Sequence, residues 1–275
     1  MNKIFYALKR RTLSMHPGLR LRIRFIRSVA RNVHAAIFGT FPRECPICGY
    51  HGRFLGMGLP QELDSVCPKC AAGPRHRFAL LTMRTRNLFQ GASVLHIAPE
   101  ALVADWVRNH RAKSYLSGDL SNEADIVLDI ERMDLGDSSF DAIICMHVLE
   151  HVNDELALGE MNRVLRFGGV AFVMVPIIEG WDETYENPNI ISDAQRLLHF
   201  GQEDHVRYYG RDVRERLKRY FDVEEITASE PEVSRFGLLR GEKIFLCKKI
   251  AKEVPKGGAS SDANSLAGGL TRSSS

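Results

Sequence analysis

With 275 residues the chain is long enough to bury one sizeable core, or a core and a small appended module. Its residues are 44% hydrophobic and 26% charged, which is ordinary for a soluble globular protein. No apolar run reaches the roughly 18 residues that cross a bilayer, and Lys9, Arg10 and Arg11 come too early for a secretory signal peptide. These features predict a cytoplasmic protein whose six cysteines are reduced.

The first 43 residues form a basic arm. They contain ten Lys or Arg and no acid, so the remainder of the chain carries a net charge of −7. Within 19–38, apolar residues recur at alternating steps of four and three and are flanked by arginines, which predicts a basic amphipathic helix. Such an arm fits peripheral association with an anionic membrane surface, and contact with nucleic-acid phosphates is the second choice.

Residues 44–74 contain two cysteine pairs and little periodicity. Cys45 and Cys48 are separated by two residues, as are Cys67 and Cys70, and eighteen residues lie between the pairs. Two residues between thiolates let one tight turn present both sulfurs to a tetrahedral ion, and Gly49 can relax the first turn through a positive φ. The pattern therefore predicts a zinc-ribbon module with a structural Zn²⁺ and no open coordination position. A redox pair is disfavoured because neither motif opens a helix after a strand.

Residues 75–250 alternate short apolar runs with helical patterns. The alternation predicts an α/β fold with a doubly wound, mostly parallel sheet of seven strands. The predicted strands are 93–98, 114–118, 125–130, 140–146, 169–175, 221–227 and 243–248, and the predicted helices are 76–89, 100–110, 153–166 and 211–220. Residues 177–210 interrupt the pattern as an insertion, and 251–275, rich in Gly, Ser and Ala, are predicted to be a disordered tail.

Several motifs in this region resemble those of class I S-adenosylmethionine-dependent methyltransferases, most closely the type 11 group. They are VLHIAPE (94–100), GD (118–119), DI (129–130), FDAIICMHVLEHV (140–152) and EMNRVLRFGG (160–169). The last two are the most specific, and the resemblance extends over roughly 75–250. It implies a Rossmann-like methyltransferase domain that binds S-adenosylmethionine beyond the carboxyl ends of its strands.

The resemblance also implies the cofactor-binding positions. Asp119, with Leu120 beside it, would accept the ribose hydroxyls, and Asp129 would accept the adenine amine while Ile130 packs on the ring. His147 would line the same edge. The alternative for the two aspartates is that they are solvated turn acids.

One motif departs from the family pattern. Where the family has an acid followed by glycines, this chain has His96 and the loop Ala98-Pro99-Glu100, and the resemblance implies that His96, Ala98 and Glu100 contact the cofactor. Because Ala98 carries a Cβ and Pro99 lacks an N–H, close approach of the backbone to the cofactor is reduced. We expect Glu100 to replace the missing acid by pairing with the cofactor's ammonium group, although it could simply complement a helix N-terminus.

Three titratable residues follow the fourth predicted strand: His147, Glu150 and His151. At helical spacing the two histidines would share a face, but the sequence offers no third ligand for a metal ion. We therefore expect one histidine to line the methyl-transfer pocket and the other to satisfy a hydrogen bond in the core.

The insertion 177–210 is polar and aromatic, and its position at the ligand-binding edge predicts a substrate lid. Near its end, Asp204, His205, Arg207 and Tyr208 are the candidates for contacting the acceptor. His205 is the preferred general base, ahead of His151 and His147, and Arg207 would clamp an anionic substrate. The alternative is a salt-bridged structural loop.

Taken together, these features predict a methyltransferase that acts on a sugar, a lipid-linked glycan or another small polar acceptor. A ribosomal RNA methyltransferase with a zinc finger is the first alternative, since its arm and ribbon would contact phosphates. The second is a non-catalytic scaffold in which the altered loop after the first strand has abolished cofactor binding.

Overall fold

The computed structural model describes residues 41–57, 62–110, 112–121 and 123–250, and five isolated positions in the N-terminal arm. Those five, Ile26, Val29, Ala30, Val33 and Ile37, are helical and exposed. The remainder of the predicted arm helix and the predicted tail lie outside the described residues. Among the helices of the described part, none is long and apolar enough to span a membrane.

The cysteine-rich segment folds as two small antiparallel hairpins. Strand β1 (Pro42–Glu44) pairs with β2 (His51–Arg53), and β3 (Leu55–Met57) pairs with β4 (Glu62–Val66). Cys45 directly follows β1 and Cys67 directly follows β4, so each hairpin places a strand before a cysteine pair. A small buried core of Cys45, Phe54, Cys67 and Ala72 holds the two hairpins together.

The rest of the described chain alternates strands and helices. In order it contains α1 (Pro74–Thr85), β5 (Ser93–Ile97), α2 (Ala101–Asn109), β6 (Ser114–Asp119), β7 (Ile126–Val127), β8 (Phe140–Met146), a 3₁₀ turn (Leu149–His151), α3 (Asp154–Val164), β9 (Leu165–Met174), β10 (Tyr185–Glu186), α4 (Asp193–Phe200), β11 (Arg207–Tyr208), α5 (Val213–Lys218), β12 (Asp222–Thr227), α6 (Glu232–Phe236) and β13 (Lys243–Lys248). The predicted strands 140–146 and 243–248 are confirmed residue for residue.

Seven of these strands form one sheet in the order β7-β6-β5-β8-β9-β13-β12. Strands β5 to β9 run parallel, whereas β13 is antiparallel to both β9 and β12. The predicted fold class is therefore confirmed: a Rossmann-like, mostly parallel seven-stranded sheet with an N-terminal cysteine module.

The centre of the sheet is apolar on both faces, as its sequence predicts. Along β8, Ile143 and Cys145 belong to the core on one face, while Ala142 and Ile144 belong to the core on the other. This alternation follows from the two-residue period of a strand, and burial on both faces is typical of central parallel strands. Burial of β8 on both faces fixes the position of the segment that follows this strand.

Several elements differ from the sequence prediction. The strand expected over 125–130 is confined to β7, because Leu128 and Ile130 leave the sheet to enter the core. The helices α4 and α6 were not predicted; both are short, and the sequence signal for α4 was only the capping box of Ser192 and Gln195. The insertion is thus a structured unit in which β10 pairs with β11.

Candidate cofactor and acceptor site

Because β5, β6, β7 and β8 are parallel, the segments that follow them meet at one edge of the sheet. Ala98 follows β5, Asp119 ends β6, Asp129 comes soon after β7 and His147 follows β8. The structure therefore brings four of the predicted cofactor-binding positions to the same edge. Open α/β sheets bind ligands at this edge, beyond the carboxyl ends of their strands.

Two of these positions have strained backbones. Ala98 has a φ of 47° and His147 a φ of 54°, in the left-handed region that residues other than glycine rarely adopt. Each conformation costs about 1–3 kcal/mol and persists only where surrounding contacts impose it. Here the Ala98 N–H donates to the Gly118 carbonyl at 2.8 Å, and the His147 N–H donates to the Met174 carbonyl at 2.8 Å. The loop after β5 thus keeps a left-handed turn without a glycine.

The two aspartates at this edge share one arrangement. Asp119 Oδ1 accepts the Ser121 N–H at 2.7 Å, and Asp129 Oδ1 accepts the Glu131 N–H at 2.9 Å. Within the described chain, neither Oδ2 accepts a hydrogen bond, so both carboxylates are oriented with one oxygen available. Leu120 beside them is 72% exposed, whereas the Ile130 side chain is buried in the core.

His96 does not supply the negative charge that the family places at its position. It is fully buried in β5, and its Nδ1 lies 2.9 Å from the Tyr115 hydroxyl. Burial lowers the pKa of His96 to about 4, so the imidazole is neutral at physiological pH. A direct role in cofactor binding stays a prediction.

Glu100 carries the negative charge of this loop. It is the N-cap residue of α2 and forms ion pairs with Arg75 and with His76, whose Nε2 lies 2.8 Å from Glu100 Oε2. Because His76 Nδ1 accepts the Gly73 N–H at 3.0 Å, its proton sits on Nε2, the atom that faces Glu100. Burial opposes the charge on Glu100, but His76 and then Arg75 outweigh it and lower the pKa of the carboxyl.

The three predicted catalytic histidines gather around Glu150. His147 Nδ1 lies 3.4 Å from Glu150 Oε1, and the His151 and His205 rings meet edge to face with 4.6 Å between centroids. The expected pairing of His147 with His151 on one helix face is not what the structure shows, because the chain turns there as a 3₁₀ segment and the insertion brings His205 to His151 instead. Burial lowers the pKa of His205.

The end of the insertion is bonded to the turn that follows β8. The Val206 N–H donates to the Glu150 carbonyl at 2.9 Å, and Arg207 Nη1 donates to the carbonyls of Leu149 and Val152 at 2.7 and 2.6 Å. The buried guanidinium of Arg207 also pairs with Glu186 at 2.8 Å. Its donors are thus committed to the protein itself, so Arg207 positions this turn and we do not retain it as a substrate clamp.

The other two predicted substrate residues take different positions. Asp204 is exposed, with Oδ2 3.5 Å from His151 Nδ1, and can face a ligand. Tyr208 is half-buried, and its ring packs edge to face with those of Trp181, Phe200 and His205. These aromatic contacts give the insertion a core of its own.

The four predicted zinc ligands converge. Cys45 Sγ lies 3.6 Å from Cys70 Sγ, Cys48 Sγ lies 3.6 Å from Cys67 Sγ, and all four sulfurs are within 4.8 Å of one another. Hydrogen bonds from Cys67 and Cys70 strongly lower the pKa of Cys45, while the hydrogen bond with Cys45 raises the pKa of Cys67. Four thiols this close can be thiolates together only with a cation, and the set fits Zn²⁺.

Both cysteine pairs use the same turn. The Gly49 N–H donates to the Cys45 carbonyl at 3.0 Å, and the Ala71 N–H donates to the Cys67 carbonyl at 2.8 Å. The two residues have φ values of 67° and 62°. The predicted positive φ of Gly49 is confirmed. In the second turn an alanine holds the same conformation, which glycine would adopt without strain.

A residue that sequence reasoning missed joins the ribbon to the sheet domain. Arg77 of α1 is fully buried and donates to the carbonyls of Ser65 and Ala72 in the ribbon and of Phe236 and Gly237 at the end of α6. Its guanidinium also lies 4.7 Å from the centroid of the Phe54 ring. An arginine inside a helical pattern gave no sequence signal of burial, because the carbonyls that accept from it come from distant segments.

A cavity of about 290 Å³ lies elsewhere, beside the start of β5. Met83, Phe89, Trp106 and His110 contribute to its walls. It is separated from the predicted site by the length of β5, and none of the predicted site residues lines it.

Comparisons with known proteins agree with the sequence-based assignment. Residues 82–173, about a third of the chain, match the family described as a methyltransferase domain. No curated protein matches the chain.

Among solved structures, the chain is similar to an S-adenosylmethionine-dependent methyltransferase from Mesorhizobium loti, with 16% identity, a TM-score of 0.44, and 62% of this chain and 96% of that one covered. It is also similar to the Burkholderia thailandensis 1,6-didemethyltoxoflavin-N1-methyltransferase, solved with 1,6-didemethyltoxoflavin and S-adenosylhomocysteine bound, with 14% identity, a TM-score of 0.46, and 64% of this chain and 78% of that one covered. A third is an S-adenosylmethionine-dependent methyltransferase from Archaeoglobus fulgidus, with 12% identity, a TM-score of 0.43, and 63% of this chain and 94% of that one covered.

Proposed function

We propose that the chain is an S-adenosylmethionine-dependent methyltransferase whose cofactor binds at the carboxyl edge of β5, β6, β7 and β8. The observation that carries this proposal is the presence of two strained backbone positions, Ala98 and His147, at the ends of adjacent central strands in a domain that matches the methyltransferase family. Strain of this kind is retained where a ligand needs the backbone in one conformation.

In this proposal each residue of the edge has a separate task. Asp119 and Asp129 offer their available Oδ2 atoms to the ribose hydroxyls and the adenine amine, and Glu100 offers its charge to the ammonium group of the methionine part. The exposed Leu120 packs against the adenine, Ile130 supports this surface from the core instead of contacting the ring, and the turn at Ala98 allows the chain to pass close to the cofactor. His96 supports Tyr115 beneath this surface.

The acceptor is proposed to lie between the cofactor and the cluster of His147, Glu150, His151 and His205. A sugar, a lipid-linked glycan or another small polar molecule suits a site whose rim is made of imidazoles, the exposed carboxylate of Asp204 and the aromatic insertion. Methyl transfer needs the acceptor atom, the methyl carbon and the sulfur in line, and the insertion is placed to hold that alignment.

Calorimetric titration of the full chain with S-adenosylmethionine tests the cofactor proposal. We expect saturable binding of one molecule per chain, and S-adenosylhomocysteine should compete for the same site. A chain that is folded, contains zinc and still releases no heat with either compound would refute the proposal and favour the scaffold alternative.

The basic arm separates the two acceptor classes. We expect the full chain to co-sediment with vesicles that contain anionic lipid, and removal of residues 1–38 to abolish this while leaving the cofactor affinity unchanged. Added salt should weaken the interaction because it screens charge. If the full chain ignores the vesicles and retains RNA under the same conditions, the ribosomal RNA alternative takes precedence and the membrane location is wrong.

A further inference from the structure

A second group of metal-binding side chains lies at the acceptor side of the proposed site. Glu150, His151 and His205 each offer one ligand atom, and these atoms lie within 4.8 Å of one another. Ligands about 2.0–2.2 Å from a single ion stand roughly 3 Å apart, so small side-chain rotations would close the group around a cation.

The buried polar atoms of this group lack partners. Glu150 Oε2, His205 Nδ1 and the neighbouring His147 Nε2 are all buried and make no hydrogen bond within the described chain. The Glu150 side chain is only 1% exposed, and its nearest charged-group contact is His147 Nδ1 at 3.4 Å. A buried carboxylate without a full set of partners is costly, and a coordinated cation is one of the few groups that offset the cost.

The backbone fixes these ligands before any ion arrives. The bond from Val206 N–H to the Glu150 carbonyl places His205 directly over the 3₁₀ turn that carries Glu150 and His151. Arg207 holds the same turn through the carbonyls of Leu149 and Val152. His151 Nδ1 lies 3.2 Å from the Asp204 carbonyl, which orients the ring and leaves Nε2 as the ligand atom.

We propose that Glu150, His151 and His205 together bind one divalent cation of the zinc, manganese or iron(II) class. Two imidazoles and one carboxylate suit these ions and leave coordination positions open for a ligand. The site is distinct from the four cysteines of the ribbon, whose thiolates would surround a zinc ion completely. The pair of His147 and His151 considered from the sequence lacked a third ligand; in the proposed site Glu150 and His205 join His151 instead.

The role of this cation rests on the proposed function, whereas its binding does not. An acceptor hydroxyl bound to the ion loses its proton to solvent more easily, because the cation lowers the hydroxyl pKa. The oxygen then forms a bond to the methyl carbon, the bond from that carbon to sulfur breaks, and its electron pair neutralises the sulfonium. The substrate class is therefore an acceptor that coordinates metal through oxygen, such as a sugar with neighbouring hydroxyl groups.

Cobalt(II) is the probe that distinguishes the two sites, because thiolate ligands give intense charge-transfer absorption and nitrogen and oxygen ligands do not. Full-length protein with zinc in the ribbon is titrated with cobalt(II) chloride. We expect one cobalt per chain to bind with the absorption of nitrogen and oxygen ligands. Glu150→Gln and His205→Asn should each lower the cobalt affinity at least about tenfold. The matched control His199→Asn, which alters an exposed histidine of the insertion, should leave it unchanged.

Absence of this cobalt from the wild-type protein overturns the proposal, as does unchanged affinity in both variants. If Glu150→Gln does not fold, the number of cobalt ions bound per wild-type chain and the cobalt affinity of His205→Asn test the proposal. Calorimetry with S-adenosylmethionine on the same samples keeps the two proposals apart. Cobalt binding without cofactor binding leaves the cation site standing and refutes the methyltransferase, and the reverse result refutes only the cation site.

Discussion

Arg77 offers the sharpest test of how the ribbon is attached to the sheet domain. The substitution Arg77→Met keeps an unbranched side chain of similar length but removes every donor. Three carbonyls, those of Ser65, Phe236 and Gly237, then lose the Arg77 donor, whereas the Ala72 carbonyl still accepts the Cys67 N–H. Each abandoned buried acceptor costs about 1–3 kcal/mol.

One term opposes this loss. Burial lowers the pKa of Arg77 to about 10, which corresponds to a desolvation cost of about 3 kcal/mol that methionine does not incur. At about 2 kcal/mol for each of the three carbonyls, their loss exceeds the desolvation cost, and we expect a net destabilisation of about 3 kcal/mol.

Urea unfolding of the zinc-loaded full chain, followed by tryptophan fluorescence, measures the free energy of unfolding. Chelator-driven zinc release measures the ribbon separately and should be faster in Arg77→Met. Arg84→Met is the matched control, since Arg84 is on the same helix and donates to Pro46 of the ribbon but is exposed. If Arg77→Met and Arg84→Met have unfolding free energies within about 1 kcal/mol of each other, the reasoning on buried carbonyls is wrong.

Three further predictions concern the metal, the cofactor and pH. Purified protein should contain about one zinc per ribbon, and the double change Cys45→Ser with Cys48→Ser should lose it; a folded, metal-free wild type with four reactive thiols would contradict this. Asp119→Asn should weaken S-adenosylmethionine binding by about 1.5–3 kcal/mol in calorimetry, whereas the exposed control Asp105→Asn should not; equal dissociation constants would remove Asp119 from the site. The pKa of His96 is lowered to about 4 in the folded state, whereas it is near 6.5 in the unfolded chain. The free energy of unfolding should therefore be unaffected by His96 above about pH 6.5 and should fall by up to about 3 kcal/mol as the pH is lowered to about 4. His96→Phe should flatten that part of the pH profile in urea unfolding, and an unchanged slope would show that the proton is taken up elsewhere.

The parts of the fold that the sequence predicts are those that follow from local pattern. Strand β8 contains the apolar run 142–146 and β13 the apolar run 244–247, each next to polar residues, so the limits of both strands were predictable to the residue. The four cysteines were predictable because two tight turns dictate their spacing. Helix α4 was missed because it is only eight residues long and leaves Leu197 and Leu198 exposed, so its pattern has no buried face to reveal it.

The contacts that decide the candidate site depend instead on distant segments. From the sequence, Arg207 is predicted to be a free cation near an active site. In the structure it donates hydrogen bonds to carbonyls that are more than fifty residues away along the chain. His205 meets His151 only because the insertion returns across the 3₁₀ turn. Nothing local encodes that return path, so the sequence could identify the chemistry of these side chains but not which of them meet.

The start of α1 has a consequence for how the protein responds to its ligands. Gly73, three residues after Cys70, begins the turn whose His76 and Arg75 hold Glu100 in the loop after β5. Zinc binding to the four cysteines would therefore shift the conformational equilibrium of that loop. If zinc favours the loop conformation that binds a cofactor by some factor, the bound cofactor must tighten zinc by the same factor. The ribbon would then act as an effector site for the sheet domain. Replacing it with another metal-binding module would change the affinity of the sheet domain for its cofactor.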